Sequence, residues 1–223
     1  METLLATARS SVSLSGNGCG PNRGYEVLVT VNMDAAATRP LLILDLDETL
    51  IYGSETRLDR DADFLVGPFH VYKRPGLDAF LSTVNHFYDL AIWSSASGDY
   101  VQGIASTLRQ NVTEWIFVWS RSRCVHKMHP ETFETIPIKD LKKVARRGYP
   151  LERILIVDDT HEKVCRNYGN AIYVSEFLGS NADDELPQLA RFLVHLHSDP
   201  NFRRVEKRGW RSKVLPDGDE EPR

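Results

Sequence analysis

From residue 41 onward, short solid runs of apolar residues alternate with longer stretches in which apolar residues recur at helical spacing. Leu41-Leu42-Ile43-Leu44 is a continuous apolar run closed by an acid, the pattern of a strand buried on both faces of a parallel sheet. The same signature returns at residues 90–93, 115–119, 154–157 and 171–174. Between these runs the spacing predicts helices. One begins near Pro75, carries Leu77, Phe80, Leu81 and Val84 on one face, and ends near Tyr88. Others are predicted over residues 98–109, from the capping residue Asp140 to about 147, over 160–168, and over 183–197 with Leu186, Leu189, Leu193 and Leu196 on one face. Residues 64–72 are β-rich and broken by Gly67-Pro68, which reads as a hairpin. Strands alternating with helices predict an α/β fold, an open parallel sheet with helices on both faces and a small β-hairpin insert.

The pattern also divides the chain. Residues 1–38 are rich in Ser, Gly, Ala and Asn and are expected to be a flexible leader, although Tyr25 to Val31 could make a short strand and Met33 is an alternative start. Residues 39–199 form the expected domain, and residues 200–223 read as a charged flexible tail. The 42% hydrophobic content of 223 residues supports one full core. A formal net charge of -4 gives no reason to expect a nucleic-acid partner. Cys19, Cys124 and Cys165 are odd in number and lack paired spacing, so neither a disulfide framework nor a zinc knuckle is indicated and a reducing compartment fits. No apolar run approaches the roughly 18 to 20 residues that span a bilayer. A cytoplasmic protein with no membrane partner is expected, nuclear if the source is eukaryotic.

Three predicted strands end in polar clusters: Asp45-Leu46-Asp47-Glu48-Thr49, Ser94-Ser95 and Asp158-Asp159. In open parallel sheets, sites lie at the carboxyl ends of strands, so these clusters are expected in one crevice. Carboxylates held close repel, and a cation or a shared proton must compensate them. Hard oxygen ligands at two strand ends suit Mg²⁺ together with substrate phosphate. A carboxylate can also attack phosphorus and split a slow hydrolysis into two displacements. Asp45 is the candidate nucleophile and Asp47 the candidate acid and base. Ser94 can donate to a phosphoryl oxygen, and Lys139 can bring a point charge to the same oxygens.

Asp45-Leu-Asp-Glu-Thr-Leu50, Lys73-Arg-Pro-Gly76, Ile92-Trp-Ser-Ser95, Lys139-Asp-Leu141 and Ile154-Leu-Ile-Val-Asp-Asp159, in this order, resemble the haloacid dehalogenase superfamily. Within it they are most similar to the NLI-interacting-factor-like, small C-terminal-domain phosphatases. The resemblance spans roughly residues 40–198 and implies a Rossmann-type core without a large cap domain, since residues 51–74 leave room for a hairpin and 121–138 for a loop. It implies a Mg²⁺-dependent phosphatase acting through an aspartyl-phosphate, with catalytic Asp45, Asp47 and Lys139. Asp45, the Asp47 carbonyl, Asp158 and Asp159 would hold the metal, and Thr49 would steady the nucleophile loop at the phosphate site. Ser94, Ser95 and Arg121 would meet the phosphate. Asp159 stands where the group often has Asn, adding one negative charge. The implied substrate is phosphoserine or phosphothreonine on a protein or peptide.

Each motif has a plainer reading. Asp and Thr favour capping positions anyway, Ser94 can cap the next helix, and one of Asp158 and Asp159 can cap the segment at Thr160. His126 and His129 lack further ligands and read as surface residues. Two other functions stay open: a phosphopeptide-binding scaffold without turnover, and a phosphatase of a small metabolite or a nucleic-acid 3′-phosphate.

Overall fold

A computed structural model describes residues 39–128 and 133–214. The leader, including the segment from Tyr25 to Val31 and Met33, lies outside the described residues, as do His129 and residues 215–223. The elements in chain order are β1 (Leu41–Leu44), β2 (Ile51–Ser54), β3 (Phe64–Val66), β4 (Phe69–Lys73), α1 (Leu77–Val84), β5 (Asp89–Trp93), α2 (Gly98–Leu108), β6 (Trp115–Trp119), β7 (Val125–Met128), β8 (Thr135–Ile138), α3 (Lys142–Ala145), β9 (Ile154–Asp158), β10 (Ala171–Tyr173) and α4 (Glu185–Leu196).

The main sheet has five strands in the order β10-β9-β1-β5-β6, and its pairings are parallel. Each solid apolar run is explained by burial on both faces. Along β1, Leu42 and Leu44 point into a core with α1, α2 and α4, whereas Leu41 and Ile43 point into a second core with Leu141, Val144 and Val164. The expected open parallel sheet with helices on both faces is present. β1 lies between β5 and β9, so the chain winds outward from it in both directions. Such a reversal of strand order opens a crevice at the carboxyl ends, and the register places Leu44 opposite both Ile92 and Val157. The residues that follow these positions therefore meet at one end of the sheet.

Four details differ from the sequence expectation. The hairpin β3-β4 turns at Gly67, whose φ of 56° suits a residue without Cβ, but β2 joins it to make a three-stranded antiparallel insert. β2 was not predicted because Ile51-Tyr-Gly-Ser is too short to show alternation. The loop expected over residues 121–138 contains the antiparallel pair β7-β8. The predicted helix over 160–168 is a 3₁₀ segment, His161–Asn167, in which Val164 and Asn167 are buried; a single apolar anchor supplies no helical stripe. The predicted helix over 140–147 is reduced to α3, with the Asp140 carboxylate accepting from the Lys142 amide at 3.1 Å.

The expected charged tail is corrected for residues 201–214. Phe202 and Trp210 are fully buried, and the Trp210 indole donates to the Tyr173 carbonyl at 2.9 Å. Arg211 pairs with the buried Glu185. The segment thus lies against β10, the edge strand of the sheet. Its two anchoring aromatics stand eight residues apart among charges, so no periodicity announces them.

Candidate active site

Asp45 follows β1 and is 1% exposed. Its amide donates to the Val157 carbonyl at 3.1 Å, which continues the pairing with β9 past the end of the strand. One carboxylate oxygen, Oδ1, accepts from the Leu46 amide at 2.8 Å and lies 2.9 Å from Lys139 Nζ. The other, Oδ2, is buried without a hydrogen-bond partner, with Lys163 Nζ 3.7 Å away. An unsatisfied buried carboxylate oxygen is costly, which makes it a mark of a reacting or ligating atom.

Lys139 follows β8 and is fully buried. Its ammonium also donates to Asp158 Oδ2 at 2.6 Å, so one cation bridges two of the acids. Burial alone would lower the lysine, but Asp158 and Asp45 outweigh it and hold the ammonium above its ordinary range. Burial pushes the Asp158 carboxyl up, with Lys139 opposing. Asp158 Oδ1 accepts from the Thr160 amide at 3.0 Å. Asp159 is held on both sides, from the Thr49 hydroxyl at 3.1 Å and from the Thr160 hydroxyl at 2.7 Å. Asp158 thus combines a turn-capping oxygen with a lysine-bound one. Thr49 is fully buried, and its hydroxyl is committed to Asp159.

Ligand oxygens of Asp45, Asp158 and Asp159 all lie within 4.8 Å of one another. Three carboxylates, of which Asp45 carries an oxygen without a hydrogen-bond partner, fit a small divalent cation such as Mg²⁺. Lys139 and Lys163 supply compensating charge beside them.

Asp47 sits two residues after Asp45, immediately before the chain turn at Glu48. Glu48 has φ 63°, a left-handed conformation that is strained for a residue with a side chain. The strain is held by backbone bonds: the Glu48 amide to the Ile51 carbonyl at 2.8 Å, and the Phe177 amide to the Glu48 carbonyl at 2.7 Å. Burial raises the Asp47 carboxyl, the Tyr100 hydrogen bond opposes, and the charge of Asp45 adds to the rise. Such a group keeps a proton more readily than an exposed aspartate, as a proton donor needs. The Tyr100 hydroxyl, in the first turn of α2, donates to Asp47 Oδ1 at 2.7 Å. It occupies the space beside Gly53 of β2: a Cβ added at Gly53 would meet Tyr100 Oη at 2.1 Å.

Ser94 and Ser95 follow β5. Ser94 is buried, its amide donates to the Trp119 carbonyl at 2.9 Å, and its Oγ accepts from the Ala96 amide at 3.0 Å. The Arg121 side chain, at the end of β6, donates through Nε to the Ser95 carbonyl at 2.5 Å, which ties its exposed guanidinium to the serine loop. The adjacent strands β9, β1 and β5 therefore bring the predicted acids and serines to one end of the sheet, with Arg121 added from beyond β6 and Lys139 from β8. The acid-lysine cluster is in direct contact, and Ser94, Ser95 and Arg121 form a neighbouring group linked by their own hydrogen bonds. Sequence reasoning missed Tyr100 and Lys163. Lys163 lies five residues beyond Asp158 and Tyr100 six beyond Ser94, so their offsets from the strand ends were the available signal.

Among the described residues, no helix is long and apolar enough to cross a membrane. The human carboxy-terminal domain RNA polymerase II polypeptide A small phosphatase 1 is 26% identical over 204 residues, covering 87% of this chain and 74% of that protein. Phosphatase PSR1 of Saccharomyces cerevisiae is 25% identical over 181 residues, covering 78% of this chain and 40% of that protein. The chain spans half or less of the length of several curated relatives it matches. The solved structure of Fcp1, an essential RNA polymerase II CTD phosphatase, superposes with a TM-score of 0.53 at 17% identity, covering 72% of this chain and 62% of that one, a likeness of fold. Residues 40–203, which carry every residue of the acid-lysine cluster, match the family described as NLI interacting factor-like phosphatase. On the strength of that match across most of its length, the chain belongs to the NLI interacting factor-like phosphatase family, a family of phosphoric monoester hydrolases.

Proposed function

We propose that this protein is a Mg²⁺-dependent phosphatase that hydrolyses phosphoserine or phosphothreonine on a protein through an aspartyl-phosphate on Asp45. The observation that carries the reading is the buried, partnerless Oδ2 of Asp45 inside a cluster of two further acids and two lysines.

Asp45, Asp158, Asp159 and the Asp47 carbonyl would hold Mg²⁺, which when bound supplies positive charge to the phosphoryl oxygens and the nucleophile. In the first displacement a carboxylate oxygen of Asp45 forms a bond to phosphorus as the bond to the serine or threonine oxygen breaks. Asp47 gives its proton to that leaving oxygen. In the second, Asp47 takes a proton from water, the water oxygen attacks phosphorus, and the bond to Asp45 breaks. Lys139 holds Asp45 and Asp158 in place, so two neighbouring carboxylates approach an anionic ester without their full repulsion. The Ser94 hydroxyl, the Ser95 loop and the Arg121 guanidinium receive the phosphate, and Thr49 keeps Asp159 turned inward.

Two features support a protein substrate. Among the described residues, the only inserts near the strand ends are the small sheet β2-β4-β3 and the hairpin β7-β8, which leave the crevice open to a surface-borne phosphoresidue. A relative covered over 74% of its length is named as a phosphatase of the RNA polymerase II carboxy-terminal domain.

The test is hydrolysis of p-nitrophenyl phosphate and of phosphoserine peptides, with Mg²⁺ and with EDTA, by wild type and Asp45→Asn. Metal-dependent turnover that falls about 10³-fold or more in the variant is expected. Full activity in Asp45→Asn sinks the mechanism. A preference for free sugar phosphates over phosphopeptides sinks the substrate assignment and leaves the chemistry intact.

A further inference from the structure

At the β10 edge of the sheet, a cavity of about 480 Å³ is lined by Tyr168, Tyr173, Arg203, Arg204, Lys207 and Arg208, among others. That volume lies in the range of small-molecule sites. Its charge is not balanced. Arg208 pairs with Glu206 at 2.6 Å, and Arg203 reaches Glu152 only at 3.9 Å. Arg204 is exposed and has no acidic partner among the described residues.

Lys207 is the more telling group. It is 6% exposed, and its ammonium donates to the Phe202 carbonyl at 2.5 Å and the Val205 carbonyl at 2.8 Å. No described carboxylate lies within 4.0 Å of it, although Glu206 and Asp199 act from farther away. Buried charges are ordinarily paired, because an isolated one is costly. Burial accordingly lowers the ammonium to about 8. An anion in the cavity would supply the missing counter-charge. The Arg204 guanidinium offers a planar fork that matches phosphate oxygens in pairs. Tyr168, 80% exposed on the cavity rim, presents an uncovered aromatic face.

We propose that this cavity binds a phosphate-bearing small molecule with a planar ring, of the nucleotide type, its phosphate held by Arg204 and Lys207 and its ring against Tyr168. The site is separate from the catalytic cluster and does not depend on the proposed reaction. It lies beside it all the same: Tyr173 is in register with Asp158 and packs on His161 with ring centroids 3.7 Å apart.

The test is calorimetric titration of the full chain in EDTA with adenosine monophosphate, inorganic phosphate and adenosine. Adenosine monophosphate is expected to bind, phosphate to bind more weakly, and adenosine to give no heat. Arg204→Ala should weaken both anions about tenfold, whereas Tyr168→Ala should weaken adenosine monophosphate and leave phosphate unchanged. Both substitutions are at exposed positions, and unchanged melting of the variants checks their fold. Absence of binding to the full chain overturns the proposal. Binding that survives Arg204→Ala overturns it as well.

Discussion

Lys139 and Tyr100 hold the two aspartates of the site in different ways, and their loss should be told apart by rate and pH. Lys139 bridges Asp45 and Asp158 from a fully buried position. Lys139→Met should lower kcat by about 10² to 10³, the cost of losing one preorganised electrostatic contact. Tyr100 acts on Asp47 alone. Its hydrogen bond opposes the rise that burial imposes on the Asp47 carboxyl, so Tyr100→Phe should move the limb of the pH-rate profile that reports Asp47 to higher pH and lower kcat about tenfold. A profile that stays in place while the rate falls would argue that Tyr100 merely packs. The acids and serines were legible because each follows a strand visible as a solid apolar run, and Lys139 because it stands just before the helix predicted to be capped by Asp140, in order with the other motifs. Tyr100 and Lys163 were not, since a tyrosine in a helix and a lysine in a charged turn look like ordinary surface residues until the fold turns them inward.

At the scale of elements, Arg74 joins the end of β4 to the approach to α4. Its guanidinium is 1% exposed and pairs with Asp183 through two bonds of 2.8 Å, and it donates to the Thr49 carbonyl at 2.9 Å. Arg74→Ala should cost about 3 to 5 kcal/mol in urea unfolding, because Asp183 and the Thr49 carbonyl are left without their donor. Burial would raise Asp183, but the Arg74 bonds and charge outweigh it and hold the carboxyl below its ordinary value of 3.8. The contribution is therefore present at neutral pH and lost as pH falls below about 4, through the folded-state value. The stability gap between wild type and Arg74→Ala should narrow over that acid range, and a gap independent of pH would contradict the pairing. The parallel strands and α1, α2 and α4 could be read from period and burial alone. β2, β7 and β8 could not, because strands of four residues carry too few positions to display alternation, and their pairing is set by the chain reversals that join them.

At the scale of the whole molecule, the C-terminal segment changes where the fold ends. A boundary at residue 199 looked natural from composition, yet Phe202 and Trp210 complete the core on the α4 side. Trp210→Ala should lower stability by about 3 to 5 kcal/mol, the usual cost of emptying a large aromatic site, measured by denaturant midpoint at unchanged slope. A chain cut after Pro200 should lose more, since it also uncovers the edge of the sheet at β10. Loss of less than 1 kcal/mol in Trp210→Ala would return these residues to the status of a tail.

The contact between Gly53 and Tyr100 makes the insert sheet a mechanical input to the chemistry. A single methyl group at Gly53 would collide with the hydroxyl that steadies Asp47, while meeting the Asp47 carboxylate itself only at an ordinary contact of 3.5 Å. Gly53→Ala is thus a remote dial: it should reproduce the alkaline displacement of Tyr100→Phe in an enzyme that still has its tyrosine, and combining the two changes should add little to either alone. The small sheet that leaves the crevice open also sets, through one missing side chain, how firmly the proton carrier is held.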